Sequence, residues 1–131
     1  MSSDIEGMFD RLLTLPGAQG AILVNDEGIP IRTSMDVTSS QKYAGKMAPL
    51  IKMARSMISD LEPGDDLSYL RLRTRRNELM VASENDHMVI LIQNNAVLDQ
   101  ARRTSAQSNR FDGRSKAFLG VAKGVRRPRN S

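Results

Sequence analysis

The chain has 131 residues, 40% of them apolar and only 4% aromatic, which suffices for one core plus a tail. It contains no Cys, so disulfides, thiol nucleophiles and Cys-based zinc sites are excluded. Residues 1–94 carry 10 Lys/Arg against 13 Asp/Glu, and residues 95–131 carry 9 against 2, so the net charge of +4 belongs to the C-terminal stretch.

That split removes the reading of the whole chain as a basic nucleic-acid binder. No apolar run approaches the roughly 18 residues of a membrane span, and the N-terminal residues lack an apolar signal segment. A cytosolic location is therefore the expectation.

SSDIEGMFDRLLTLPG reads as a first helix. Ser3 and Glu6 have capping-box spacing. Ile5, Met8, Phe9 and Leu12 share one face, and Pro16-Gly17 stops the run. AQGAILVN then reads as a strand, turned by Asp26-Glu27-Gly28 into IPIRTS, where Gly28 supplies the positive φ of a tight hairpin. Pro30 has no N–H for a hydrogen-bond ladder, so the second strand belongs at a sheet edge.

SSQKYAGKMAPLIKMARSMISDLEP is the longest helical pattern. Tyr43, Met47, Leu50, Ile51, Ala54, Ile58 and Leu61 form a stripe of period 3.6, and Met53 and Met57 widen it. One reading is a broad core face with Met as filler. The other is a helix that also packs on something outside its own domain. Pro49 deprives the Gly45 carbonyl of its donor, which predicts a bend near Gly45–Pro49 or a later helix start.

Three strands follow. LSYLRLRT (Leu67–Thr74) places Ser68, Leu70 and Leu72 on one face and Tyr69, Arg71 and Arg73 on the other, and its charge suits the second sheet edge. ELMVAS and HMVILIQN come next, joined through Glu84-Asn85-Asp86. The unbroken apolar run Val89–Ile92 marks the central strand, covered on both faces. NAVLDQARRTSAQ suits a short helix with Val97, Leu98 and Ala101 on one side. The rest is expected to be disordered, with Ala117–Val125 an apolar island too short to anchor anything alone. The domain is thus expected at residues 1–94, and 95–131 as a basic extension.

Little in this inventory points to catalysis. His87, the single histidine, sits at the mouth of the last hairpin without a nucleophile in its pattern. No Walker-type loop is present, and Asp65-Asp66 and Glu84/Asp86 lack calcium-loop spacing. No catalytic, cofactor-binding or metal residue is assigned, and an enzyme is not expected.

QGAILVNDEGIPIRTSMD, then KMARSMISDLEPGDDLSYLRLRTRRNELMVA, then VILIQN, resemble in order and spacing the roadblock-type light chains of cytoplasmic and axonemal dynein, over about Gly17 to Asn94. Gly45, Pro49 and the basic tail depart from that pattern. The resemblance implies an α+β fold: a five-stranded antiparallel sheet in the order 2-1-5-4-3, the long helix on one face and the shorter N-terminal helix on the other. It also implies a homodimer with a continuous sheet, strand 3 pairing with its twin and the long helices side by side. The interface candidates are then Tyr43, Met47, Met53 and Met57 on the helix, and Leu67, Ser68, Tyr69, Leu70, Arg71, Leu72 and Arg73 on the strand. Such light chains bind the dynein intermediate chain through contacts that the sequence does not place. They are cytoplasmic and cytoskeleton-associated, with the axoneme as another setting. Other members of the superfamily bind Ras-like small GTPases, which is the alternative. The tail suits an acidic surface, and nucleic acid is not expected as a partner.

Overall fold

The structure, a computed structural model, describes residues 2–84, 86–104 and 118–122. In chain order the elements are α1 (Ser2–Leu13), β1 (Ala18–Asn25), β2 (Pro30–Thr33), α2 (Val37–Leu61), β3 (Tyr69–Arg73), β4 (Asn77–Glu84), β5 (His87–Asn94) and α3 (Asn95–Thr104). A short helical segment follows at 118–122. The strands form one antiparallel sheet in the order β2-β1-β5-β4-β3, as the sequence reading expected.

The alternation of side chains divides the core into two layers. Ile22, Val24, Val81, Ile90 and Ile92 pack against Ala44, Met47 and Ile51 of α2. On the other face Ala21, Leu23, Met80, Val89 and Leu91 pack against Met8, Phe9 and Leu12 of α1. β5 is buried from Met88 to Gln93, which confirms it as the central strand. At roughly 1.5–3 kcal/mol per large apolar side chain removed from water, this double-sided strand is the main source of cohesion.

The first hairpin closes as its composition requires. Gly28 sits at φ 83, and the Asn25 side-chain oxygen accepts hydrogen bonds from the backbone N–H groups of Glu27 and Ile29 at 2.9 and 3.0 Å. Pro30 is the first residue of β2 and pairs with Val24 next to a register shift, where a missing ladder donor is tolerated at the edge.

Several expectations need correction. α1 already runs from Ser2, so Ser3 lies inside the first turn rather than at the cap. α2 starts earlier than read, because Asp36 caps it: its carboxylate accepts from the Ser39 N–H at 2.9 Å. The helix continues unbroken through Pro49, so a late start is excluded. Its core face is Ser40, Ala44, Met47 and Ile51, whereas Leu50 and Leu61 point outward. Small residues at 40 and 44 let the helix approach the sheet closely, which rotates the large residues at 50 and 61 away. β3 is shorter than the Leu67–Thr74 run, beginning at Tyr69 and ending at Arg73.

In the C-terminal residues the expected short helix forms as α3, with Asn95 and Leu98 buried, but Val97, read on its apolar side, is exposed. The apolar island does anchor: Phe118 is 1% exposed and Ala122 4%, both within the core layer under α1. The expected disorder of SNRFDGRSK and VRRPRNS concerns residues outside those described.

Candidate interaction surface

The side of α2 turned away from the sheet carries an apolar row that nothing among the described residues covers. Leu50, Met53, Met57 and Leu61 are 37%, 68%, 52% and 72% exposed and follow one another at intervals of three and four. An open groove of about 530 Å³ adjoins this row, between α2 and the β3–β4 side of the sheet. Its walls are Tyr43, Met47 and Leu50 on the helix and Leu72 and Leu79 on the strands, with Lys42 and Lys46 at the rim.

β3 forms the lip of that groove. It pairs on one side with β4, from Tyr69 opposite Ala82 to Arg73 opposite Glu78, and is the terminal strand of the sheet. Leu70 and Leu72 turn to the α2 side, and Tyr69 packs against the α1 layer. Soluble proteins rarely leave a contiguous apolar strip beside an unpaired strand edge, because both invite association.

On the α1 side β3 bears charge, and carboxylates of the same chain accommodate it. Glu78, 1% exposed, lies 3.2 Å from Arg71 and 3.1 Å from Arg73. Arg73 also reaches Asp99 of α3, at 2.9 and 3.1 Å to its two oxygens. That bond, ahead of all other influences, holds the Arg73 guanidinium pKa above its ordinary value. Arg102 adds contacts to Glu78 at 3.7 Å and Asp99 at 3.5 Å. A buried carboxylate demands such partners, since leaving it unpaired would be costly. The network thereby ties α3 to the sheet edge.

The expected interface residues therefore do not share one surface. Tyr43, Leu70 and Leu72 border the groove or its strand lip, and Met53 and Met57 stand exposed on the row. Met47, in the apolar stripe and also an interface candidate, is 4% exposed and packs in the core of its own chain while touching the floor of the groove. Leu67 and Ser68 precede the strand, Leu67 packing under α2 and Ser68 exposed, while Tyr69, Arg71 and Arg73 occupy the opposite face. Leu50 and Leu61 are the outward residues that the pattern assigned to the core. Their signal was the small pair Ser40 and Ala44, which marks the true line of closest approach.

His87 lies elsewhere, at the start of β5. Its Nδ1 is 3.0 Å from Asp86 Oδ1, and it lines a cleft of about 120 Å³ with Ser83, Lys52 and Arg55. No hydrogen bond joins Ser83 to His87 among the described residues. No cluster of three metal-ligating side chains occurs among the residues described, and no helix there is long and apolar enough to cross a membrane.

Solved structures share this arrangement at low identity, which bears on the fold alone. A Roadblock/LC7 domain from Streptomyces avermitilis is 15% identical, covers 92% of each chain and superposes with a TM-score of 0.71. MglB from Myxococcus xanthus is 16% identical, with 91% of this chain and 94% of that one covered and a TM-score of 0.62. An MglB structure described as having a tetrameric arrangement is 13% identical over 95% and 90% of the two chains, again at 0.62. The sheet order, the two helical layers and the match of residues 4–94 to the Roadblock/LC7 domain family model agree, and this chain belongs to that family.

Proposed function

We propose that the chain is a non-catalytic light chain of a dynein motor complex, acting as a homodimer that binds the intermediate chain and supports motor assembly, regulation or cargo attachment. The observation that carries this reading is the pairing of an uncovered apolar row on α2 with the terminal strand β3 beside it. A second copy related by a two-fold axis covers both at once, since the same patch serves each partner. Two intermediate chains then meet two equivalent sites, and the gain is one of effective concentration. The residue blocks between Gly17 and Asn94 favour dynein as the setting, with a cytoplasmic, cytoskeleton-associated location. Residues 1–94 are the roadblock-like unit in this reading and 95–131 a basic extension.

A Ras-like small GTPase is the second reading of the partner. It draws on the roadblock superfamily at large and on the fold shared with MglB. Affinity purification from the native cell with mass spectrometry separates the two: dynein intermediate chains support the first, and a small GTPase without dynein supports the second. The homodimer has its own test. Sedimentation should show a dimer at micromolar concentration, and Leu70→Pro or Leu72→Pro, which each remove a β3 backbone donor, should give monomer or unfolded chain. A stable wild-type monomer overturns the reading.

A further inference from the structure

The two ends of β3 carry opposite charge. Before it, Asp60, Glu62, Asp65 and Asp66 place four carboxylates within seven residues at the end of α2 and the following loop. After it, Arg75 and Arg76 form the tight turn into β4. Both groups are exposed. Among the described residues no cation pairs with Asp60, Glu62 or Asp65, and no carboxylate pairs with Arg75 or Arg76. Asp66 alone is engaged, 3.7 Å from Arg55.

Within one chain these groups stand at opposite ends of a five-residue strand, about 15 Å apart or more, and do not neutralise one another. A two-fold antiparallel pairing changes that. With the axis at Arg71, the middle residue of β3, position 66 of one copy comes opposite position 76 of the other. With the axis at Leu70, Asp65 still comes opposite Arg75. With the axis at Leu72 the arginines fall opposite positions 68 and 69 and Asp66 opposite Glu78, so the charges favour the first two registers over the third. We infer that the loop around Glu62–Asp66 of each protomer docks against Arg75–Arg76 of its partner, forming two charge clamps that flank the paired strands and set their register.

The inference rests on the homodimer reading and adds a determinant to it. Backbone ladders alone leave the register between two copies of one strand weakly specified, since β3's pairing with β4 fixes only which face Leu70 and Leu72 take within each chain. The clamps discriminate against larger slips and against parallel pairing, in which like charges meet at both ends. Glu78 and Asp99 serve the same end: they pair with Arg71 and Arg73 within the chain, so the arginines nearest the axis arrive with carboxylate partners of their own.

The test is a charge swap on the full-length chain. Glu62→Lys/Asp65→Lys and Arg75→Glu/Arg76→Glu alter exposed side chains only, and far-UV circular dichroism checks that each variant is folded. Arg75→Glu/Arg76→Glu puts like charges at both clamps, and Glu62→Lys/Asp65→Lys sets two cations beside the arginines and cancels the loop's net charge. The dimer dissociation constant of each variant in sedimentation velocity at low salt should therefore rise, about tenfold or more for the like-charge variant. An equimolar mixture restores opposite charges at both clamps. Native mass spectrometry, which separates the species by mass, should then show the heterodimer well above its statistical half, with wild-type strength. Raising salt from about 50 to 500 mM should weaken the wild-type dimer and strengthen the like-charge variant's homodimer. Variants that dimerise like wild type and mix statistically overturn the clamps while leaving the dimer standing. A wild-type chain that stays monomeric overturns the dimer itself.

Discussion

Truncating Phe118 to alanine tests whether the C-terminal segment belongs to the core. Phe118 is the largest of the fully buried side chains among the described residues and shares the layer of Met8, Phe9, Leu12, Met80 and Leu91. Removing a buried phenyl group costs about 3–5 kcal/mol through lost transfer energy and the cavity left behind. Here the segment 118–122 can undock as a unit, which caps the loss at the free energy of its docking. The lower end, about 3 kcal/mol, is therefore expected, a drop of roughly 10 °C or more in Tm for a domain of this size. The assay is urea unfolding followed by far-UV circular dichroism, since the chain has no Trp and only two Tyr. Phe118→Leu, which keeps most of the volume, should lose about 1 kcal/mol. A chain ending at Gln107 should lose at least as much as Phe118→Ala. An unfolding midpoint for Phe118→Ala equal to wild type would refute the placement of this segment in the core.

Asp36→Ala removes the α2 cap and should lower Tm at neutral pH. The Ser39 backbone N–H holds the Asp36 carboxyl pKa below its ordinary 3.8. The cap's contribution is thus present above that value and lost as pH falls through the lower folded one, so the two proteins should converge in acid. A gap unchanged at pH 2 would contradict this. Glu78→Ala leaves Arg71, Arg73 and Arg102 facing one another; because these guanidiniums are partly exposed, the cost should be about 1–3 kcal/mol rather than that of a fully buried pair. Wild-type stability in urea would show the network to be ornamental. His87→Ala loses one exposed contact to Asp86 and should change stability by less than about 0.5 kcal/mol and partner binding not at all; loss of binding in a folded protein would assign His87 a role that its surroundings do not suggest.

Local chemistry by itself determined the elements and their order. Pro30 could sit only at an edge, Gly28 only in a turn, and the run Val89–Ile92 only between two apolar layers, and each is found there. The alternation in β3 likewise announced which residues face α2 and which bear charge. These are properties of one residue and its nearest neighbours, and sequence displays them directly. What the tertiary structure decided is which part of a broad apolar stripe turns inward. The α2 pattern held more large apolar residues than one sheet face accepts, and periodicity alone cannot say where the helix comes closest. Ser40, hydrogen-bonded to Thr33 of β2, and Ala44, packed in the layer of Ile22, Val81 and Ile90, set that line, and Leu50 and Leu61 turn outward. Glu78 acquired its three arginines in the same way, because residues from β3, β4 and α3 meet only once the sheet is built. The burial of Phe118 depended on a cavity made by α1 and the sheet, which no nine-residue stretch of sequence can reveal.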